Sequence, residues 1–378
     1  MSVNTIKKYS PLVGWGAVII ILPIILYRAT PALQYAEGWR TFYYDSDYYD
    51  VMLSSYGAMG CIKAFFLQFF AHPWHGTAVM TLVMMLYMAI IDLILTRLLK
   101  KKLMASIISA VICIASGVSL TSWMGNINPK YLIDIGDNGA KSSLMYMRMS
   151  NYVRHHQWDE IIDLCNENGR ITNLLHQNCL NMALAEKEQL GDKLLDQPVE
   201  DINSIYVSQI QTAEVAGLLS DVYFSFGHIA QSQRYAFETN EKMFNLSPRM
   251  LQRLIETNLI FGQKEVAEKY QLILSKTLYY KDWKPSEKEI AEKRKCIFDD
   301  NRFSGIKGLD DDLLHIARNT RGTRQCRVTL QYLGSLYILA RYDTLFVKMA
   351  DEFSGSKDLA KPMPEYFEGY YKHLLNEK

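Results

Sequence analysis

This sequence of 378 residues lacks a large net charge of either sign, because 41 Lys and Arg residues are balanced by 40 Asp and Glu residues. A balanced chain has no general attraction for nucleic acid or for an anionic surface, so a charged partner must be recognised by a local patch. We therefore expect no nucleic-acid partner.

Cysteine pairs and metal-binding motifs are also missing. The six cysteines form no CxxC pair and no zinc-like spacing, which predicts isolated thiols, although a disulfide between Cys165 and Cys179 stays open. The histidine pairs have no carboxylate or thiol at ligand spacing, so we expect interfacial or surface positions for His72 and His75, and for His155 and His156. The sequence predicts no metal site and no cofactor.

Long apolar runs, by contrast, fill the first third of the chain. Thr77 to Leu99 and Leu103 to Met124 are each at least 20 residues long, separated by a lysine-rich turn. A helix of that length crosses the roughly 30 Å apolar core of a bilayer. Pro11 to Tyr27 is a shorter run, and it predicts an uncleaved span because Arg28 follows where a signal peptidase needs small residues. We predict a membrane domain over residues 1–124, with spans at about 11–27, 77–99 and 103–124.

The positions of the cations predict the orientation of these spans. Lys7 and Lys8 precede the first run, and Arg97 and Lys100 to Lys102 lie between the second and third. Cytoplasmic loops are enriched in Lys and Arg, so three spans place the amino terminus in the cytoplasm. We expect a multi-pass membrane protein with everything after Met124 on the outer side of the membrane.

A further aromatic segment, at about residues 53–71, predicts a helix lying in the membrane interface, because Lys63 and Gln68 interrupt it. In that position Trp74 lies at headgroup level, and four phenylalanines dip into lipid, namely Phe65, Phe66, Phe69 and Phe70. Asp92, inside the second run, is expected to reach water or Arg97.

Helical periodicity dominates the remainder of the chain, which predicts an all-α protein with a linker at 125–143 and a soluble helical domain at 144–378. Turn signals recur at His156, Gly191, Gly227 and Gly262, at intervals of 35, 36 and 35 residues. The interval is close to the roughly 34-residue tetratricopeptide period. A fifth turn is expected at Ala340, and Ile161, Ser232 and Ala267, each five residues after a turn, should pack between helices.

Several tracts carry a resemblance to a known family, among them YVRHHQWDEIIDLCNENG, LSDVYFSFGHIAQSQRYAFETNE and, near the membrane, FFLQFFAHPW. They resemble an uncharacterised family of integral membrane proteins from Bacteroidota with a helical-repeat, tetratricopeptide-like carboxyl-terminal region. The resemblance is closest over Asn151 to Tyr280. It implies a location in a bacterial inner membrane with the repeat-like tail in the periplasm, and it supplies no catalytic residues because the family has no established activity.

Two groups of residues are candidates for a site. Asp45 and Asp47 form a D-x-D pair in an acidic loop that the spans place outside, where a carboxylate acts as base or metal ligand in some lipid-linked glycosyltransferases. The other group consists of four arginines at every third position, namely Arg318, Arg321, Arg324 and Arg327. If the segment is helical, they form a cationic stripe that can bind phosphate or carboxylate groups. Its alternative is structural pairing with nearby acids, namely Asp299, Asp300 and Asp310 to Asp312.

These features favour a membrane-anchored scaffold whose external helical repeats bind a protein or an envelope polymer, with lipid as the other partner. The alternative is a glycosyltransferase-like membrane enzyme, or a degenerate remnant of one, that uses Asp45 and Asp47 in the acidic external loop. A binding protein is preferred over an enzyme because the sequence contains no catalytic constellation.

Overall fold

A computed structural model describes residues 12–133, 138–199, 201–207, 212–297, 308–354 and 363–376. The described residues are helical or connect helices, and they contain no strand beyond an isolated antiparallel bridge between Tyr43 and Thr277. The predicted all-α fold is confirmed for this part of the chain. The chain divides into two compact units: unit 1 is Met1–Arg148 with Lys276–Tyr279, and unit 2 is Met149–Ser275 with Tyr280–Lys378.

Unit 1 is built on long apolar helices. Its helices are α1 (Leu12–Trp39), α2 (Ser46–Leu67), a 3-10 turn (Gln68–Ala71), α3 (Pro73–Leu99), α4 (Lys102–Gly125) and α5 (Lys130–Ile133), and α6 (Asn138–Arg154) includes the boundary between the units. Three of them, α1, α3 and α4, are long and apolar enough to cross a membrane. Their outward faces expose large apolar side chains such as Ile20, Leu86 and Val111.

Several boundaries in unit 1 differ from the sequence-based predictions. Helix α1 continues to Trp39, because the helix accommodates both Pro23 and Pro31, so the expected loop is much shorter. Helix α2 begins at Ser46 and is kinked at Gly57, whose φ is 67°. The prediction that Phe70 dips into lipid is wrong, because its ring is fully buried against Gly76.

Small residues set the spacing between the apolar helices. A methyl group on Gly14 of α1 would lie 2.2 Å from the backbone oxygen of Ser106 in α4, and one on Gly117 would lie 2.6 Å from Leu22. Helices approach this closely in membranes only where the residues between them are small. Asp92 of α3 accepts a hydrogen bond from Ser109 Oγ of α4 at 3.3 Å, so it contacts the next helix rather than Arg97.

Unit 2 is a succession of shorter helices. They are α7 (Trp158–Asn168), α8 (Leu174–Glu186), α9 (Leu190–Lys193), α10 (Ala213–Ser225), α11 (Ile229–Lys242), α12 (Pro248–Ile260), α13 (Lys264–Leu274), α14 (Glu287–Lys293), α15 (Leu309–Asn319), α16 (Arg324–Leu339), α17 (Asp343–Phe353) and α18 (Glu365–Asn376). Consecutive helices pack against each other, as in the pairs α10/α11, α12/α13 and α15/α16.

Within the described residues of unit 2, five helix pairs share one kind of three-residue turn. The central residue of each turn has a positive φ, and these residues are His156, Glu188, Gly227, Gly262 and Arg341. In each turn the residue after it donates its N–H to the carbonyl five residues earlier, as Gln263 does to Asn258 at 2.8 Å. This is the Schellman pattern, and here the same residue is also the N-cap of the next helix.

The turns predicted at His156, Gly227 and Gly262 are confirmed by this geometry, and the fifth lies at Arg341, one residue after its predicted position. The turn predicted at Gly191 is wrong, because Glu188 occupies the left-handed position and Gly191 lies inside α9. Position 191 favours glycine for another reason, because a methyl group there would lie 2.8 Å from Pro364. The positions expected to pack between helices are buried, namely Ile161, Ser232 and Ala267.

The close contact of α1 with α4 gives a test with a matched control. Gly14→Ala should destabilise unit 1 by about 1 to 3 kcal/mol, because the new methyl group meets backbone that cannot rotate away. Gly16→Ala adds the same group on the same helix, where nothing lies within 4 Å. The measurement is the thermal midpoint of the monodisperse protein in mild detergent. Equal midpoints for the two variants would show that α1 and α4 do not pack in this register.

Candidate functional site

A polar cleft with a volume of about 190 Å³ opens in unit 2, and we call it the cleft. Its walls come from helix ends and from α14, and they carry mainly charged and aromatic side chains. The residues lining it are Val153, His156, Trp158, Met182, Glu186, Asp221, Phe224, Ser225, Arg253, Ser286, Lys288, Glu289, Glu292, Lys293, Arg324 and Gln325. Four of them are Lys or Arg and four are Asp or Glu, so the lining carries charges of both signs in equal number.

Helix carboxyl ends form one wall of the cleft, and basic side chains bind their free carbonyl groups. Lys293 Nζ donates to the carbonyls of Phe224 and Ser225 at the end of α10, the latter at 3.1 Å. Arg324 Nη2 donates to the carbonyl of Glu186 at the end of α8, at 2.6 Å. The last carbonyls of a helix lack partners within it and carry partial negative charge, which favours cations there. These two basic residues are therefore held by the backbone.

Beneath the cleft lies a cluster of charged side chains that we call the floor: Asp221, Arg249, Arg253 and Glu256. Arg249 Nη2 lies 2.5 Å from Asp221 Oδ2, and Arg253 Nη2 lies 3.0 Å from Asp221 Oδ1. Arg253 Nη1 also lies 2.8 Å from Glu256 Oε2, one helical turn along α12. Both side chains of the pair Asp221 and Arg249 are about 95% buried. Buried charges of this kind are tolerated because each one has an opposite partner.

The two carboxylates of the floor differ in proton affinity. Burial raises the pKa of Asp221, but Arg249 and Arg253 outweigh it and leave that pKa below its ordinary value. Burial raises the pKa of Glu256 to about 7 against the attraction of Arg253, and repulsion from Glu289 contributes to the rise. The floor therefore holds one carboxylate that stays ionised and one that titrates close to neutral pH.

Aromatic rings complete the cleft. The Arg253 guanidinium lies 3.6 Å from the centre of the Phe224 ring, and Lys293 Nζ lies 4.7 Å from the same ring. His156 stacks on Trp158 with their ring centres 5.4 Å apart and their planes 13° from parallel. At the rim Lys288 is exposed and Glu289 is half-buried. The cleft thus presents a fixed aromatic surface beside accessible charges of both signs.

The arginines singled out from the sequence do not form one stripe, and that geometric prediction is wrong. Helix α15 ends at Asn319, and Thr323 caps the separate helix α16, so Arg318 and Arg321 are divided from the other two. Both bind Glu352, with distances of 2.6 and 2.8 Å from the nearer guanidinium nitrogen of each.

The remaining two arginines bind glutamates of the α8–α9 turn, Arg324 with Glu186 at 2.5 Å and Arg327 with Glu188 at 2.8 Å. The expected aspartate partners are not the ones found: Asp312 lies 3.2 Å from His228 Nε2, and Asp299 and Asp300 are outside the described residues. Of the four arginines, Arg324 alone lines the cleft. Binding of an external anion by this group stays a prediction.

The D-x-D aspartates have different surroundings. Asp45 is the N-cap of α2, accepting a hydrogen bond from the N–H of Asp47 at 3.0 Å, and it forms an ion pair with Lys276. The hydrogen bond from Lys276 lowers the pKa of Asp45. Asp47 is exposed in the first turn of the helix. The structure thus gives Asp45 a capping role, and a catalytic role for either residue stays a prediction.

The six cysteines, all within the described residues, form no disulfide, and Cys165 and Cys179 are both buried thiols. Burial raises the pKa of Cys165 to about 12, so that thiol is protonated and unreactive at neutral pH. Within the described ranges no three His, Cys, Asp or Glu side chains come together as a metal site.

Comparison with known proteins identifies a family for this chain. The model of a family of unknown function (DUF6057) matches residues 7–134 and 118–369, which together cover most of the chain. The chain belongs to the DUF6057 family. No curated protein and no solved structure matches it. The family match agrees with the resemblance to an uncharacterised family.

Sequence reasoning missed the floor of this DUF6057 protein. Asp221 lies among buried and mostly apolar residues of α10, and Arg249 and Arg253 lie four residues apart on the buried face of α12. The signal available in the sequence was the presence of charged residues at helix positions that the surrounding apolar pattern predicts to be buried. That signal does not say which charges pair, because Asp221 and Arg249 are 28 residues apart in the chain.

The titration of Glu256 gives a pH prediction. Its pKa is raised in the folded chain, so the group stabilises the fold fully below about 4.5 and loses that contribution as pH rises through about 7. Between about pH 5 and pH 7.5 we expect the wild type to lose roughly 1 to 3 kcal/mol relative to Glu256→Gln, which does not titrate. The measurement is the urea midpoint for proteolysis of unit 2, with the whole chain in mild detergent. Glu265→Gln, at an exposed position on α13, is the control and should follow the wild type. Parallel profiles for wild type and Glu256→Gln would contradict the prediction.

Proposed function

We propose that this DUF6057 protein is a membrane-anchored binding protein of the bacterial cell envelope, and that the cleft of unit 2 recognises a protein segment or an envelope polymer. The observation that carries the proposal is the pre-formed lining of the cleft, which carries charges of both signs, with fixed cations beside accessible carboxylates and an aromatic surface. Charges held in place by carbonyl groups and ion pairs do not have to be ordered when a ligand binds, which lowers the cost of association.

Recognition rather than catalysis is supported by how the basic groups are used. Lys293 and Arg324 bind backbone carbonyls, and Arg253 binds two carboxylates, so none of them is placed as a proton donor or an electrophile. The half-buried Trp158 adds flat apolar area of the type that contributes most to binding interfaces. An enzymatic role for Asp45 and Asp47 is the less supported alternative, since Asp45 caps a helix.

The hairpin arrangement of unit 2 supports a tetratricopeptide-like description as part of the same proposal. In the described part of unit 2, five helix pairs use one turn geometry, and the position five residues after the turn is buried at Ile161, Ser232, Ala267 and Phe346. Such arrays present several helix ends along one side, which suits binding of extended ligands. The intervals between the left-handed turn residues from His156 to Gly262 are 32, 39 and 35 residues, so the repeat is irregular.

The proposed topology places the amino terminus in the cytoplasm and unit 2 in the periplasm, with lipid around α1, α3 and α4. It is supported by the cations Lys100, Lys101 and Lys102 at the turn from α3 to α4, all exposed. An enzyme reporter that is active only outside the cytoplasm should be active when fused after Lys378 and silent when fused after Lys101. The opposite pattern would overturn this topology.

Photo-crosslinking tests the cleft directly in cells. A photoreactive residue in place of Lys288, at the rim, should give a crosslinked product, whereas one in place of Lys264, an exposed lysine of α13 outside the cleft, should not. Digestion of the product by a protease or by a cell-wall hydrolase tells a protein ligand from a polymer. Adding Trp158→Ala should lower the yield from position 288 by about tenfold, because loss of an aromatic contact commonly costs more than 1 kcal/mol. Equal yields from positions 288 and 264, or an unchanged yield with Trp158→Ala, would refute the cleft as the binding site.

A further inference from the structure

The segment Lys276–Tyr279 belongs to unit 1, although it is more than 120 residues further along the chain than α6. Tyr44 donates its backbone N–H to the carbonyl of Lys276 at 2.7 Å, and Tyr43 and Thr277 form an antiparallel bridge. The Lys276 ammonium also forms an ion pair with Asp45, and Thr277 is buried. These contacts fix the backbone that carries Tyr279.

Tyr279 lies beside two histidines at the start of α3. His72 is the N-cap of that helix, and Pro73 at its first position restricts the backbone on both sides. The ring centres of His72 and His75 are 5.2 Å apart, and the Tyr279 ring centre lies 5.3 Å from that of His72 and 6.1 Å from that of His75. Both histidines are exposed, so an ion from solvent can reach them.

The spacing of these groups is that of ligands around one small ion. Tyr279 Oη and His75 Nδ1 are 3.5 Å apart, the outer limit for a hydrogen bond. Two ligand atoms on a tetrahedral ion, each about 2.0 to 2.1 Å from it, are separated by about 3.4 Å. Two imidazoles on such an ion have ring centres about 5 Å apart, which matches the pair His72 and His75.

We propose that His72, His75 and Tyr279 form a site for a divalent transition-metal ion, of the class of Zn²⁺ or Cu²⁺, with water at the remaining position. Imidazole nitrogen suits both ions, and Cu²⁺ is expected to bind more tightly by the general order of affinities. On binding, the Tyr279 hydroxyl loses its proton to solvent and its oxygen bonds to the metal. The ion then joins the segment Lys276–Tyr279 to the start of α3, independently of the cleft.

Metal titration of the full chain tests this site. The protein, purified in mild detergent without a histidine tag and stripped with a chelator, is titrated with Zn²⁺ and, separately, with Cu²⁺. We expect one ion per chain, and an affinity at least tenfold lower for His72→Ala or His75→Ala. The His72 side chain makes no capping hydrogen bond, so its removal leaves the helix start intact. His155→Ala, which removes an exposed histidine elsewhere, is the control and should bind as the wild type does.

A spectroscopic measurement separates the role of Tyr279 from that of the histidines. Phenolate bound to Cu²⁺ gives a charge-transfer absorption band in the visible range, and Tyr279→Phe should abolish the band while Tyr280→Phe, the same change at the next residue, should retain it. Absence of saturable binding, or equal affinity in the wild type, His72→Ala and His75→Ala, would overturn the site. A band that persists in Tyr279→Phe would overturn the tyrosine ligand.

Discussion

The last carbonyl groups of a helix need hydrogen-bond donors, and much of unit 2 follows from that requirement. A three-residue Schellman turn satisfies two of them and starts the next helix at once, so the ends of successive helices lie near one another. The remaining carbonyls are bound by basic side chains from other helices: Lys293 at the end of α10, Arg294 at Leu259 of α12, and Arg324 at Glu186 of α8. The cleft is lined by the groups that this arrangement brings together.

The floor of the cleft depends on the balance between desolvation and pairing. Taking a charge out of water costs several kcal/mol, and an opposite charge at hydrogen-bond distance offsets the cost only when the geometry is good. Asp221 meets that condition by accepting from both Arg249 and Arg253, and Arg249 also donates to Ser150 Oγ at 2.7 Å. Loss of Asp221 would remove the carboxylate that Arg249 and Arg253 both bind, and breaking a buried pair in this way typically costs about 3 to 5 kcal/mol, a large part of the roughly 5 to 15 kcal/mol that stabilises a whole protein. The floor therefore constrains α6, α10 and α12 to one arrangement.

Local signals in the sequence predicted the elements of this fold better than their long-range contacts. Apolar runs predicted α1, α3 and α4, and the glycines at 227 and 262 predicted turns because a positive φ favours glycine. The turn predicted at Gly191 is wrong for a physical reason. Glycine is also required where another segment of the chain approaches the backbone closely, as Pro364 does here. The partners of Arg324 and Arg327 are 138 and 139 residues away in the chain, and no local pattern encodes that pairing. The sequence suggests a catalytic or metal-binding carboxylate at Asp45 because it does not show that α2 begins at the next residue.

The sharing of Arg253 between two unequal carboxylates links the charge of the floor to pH. With Glu256 ionised, the four charged groups of the floor cancel, whereas with Glu256 protonated the floor has one positive charge in excess. Asp221 stays ionised in both states because two guanidinium groups hold it, so the change is confined to the Glu256 side of Arg253. Arg253 also lines the cleft, and the Phe224 ring beneath its guanidinium keeps it in place in both states. An acidic ligand group entering beside Arg253 would therefore meet repulsion from Glu256 above neutral pH and a net positive floor below it.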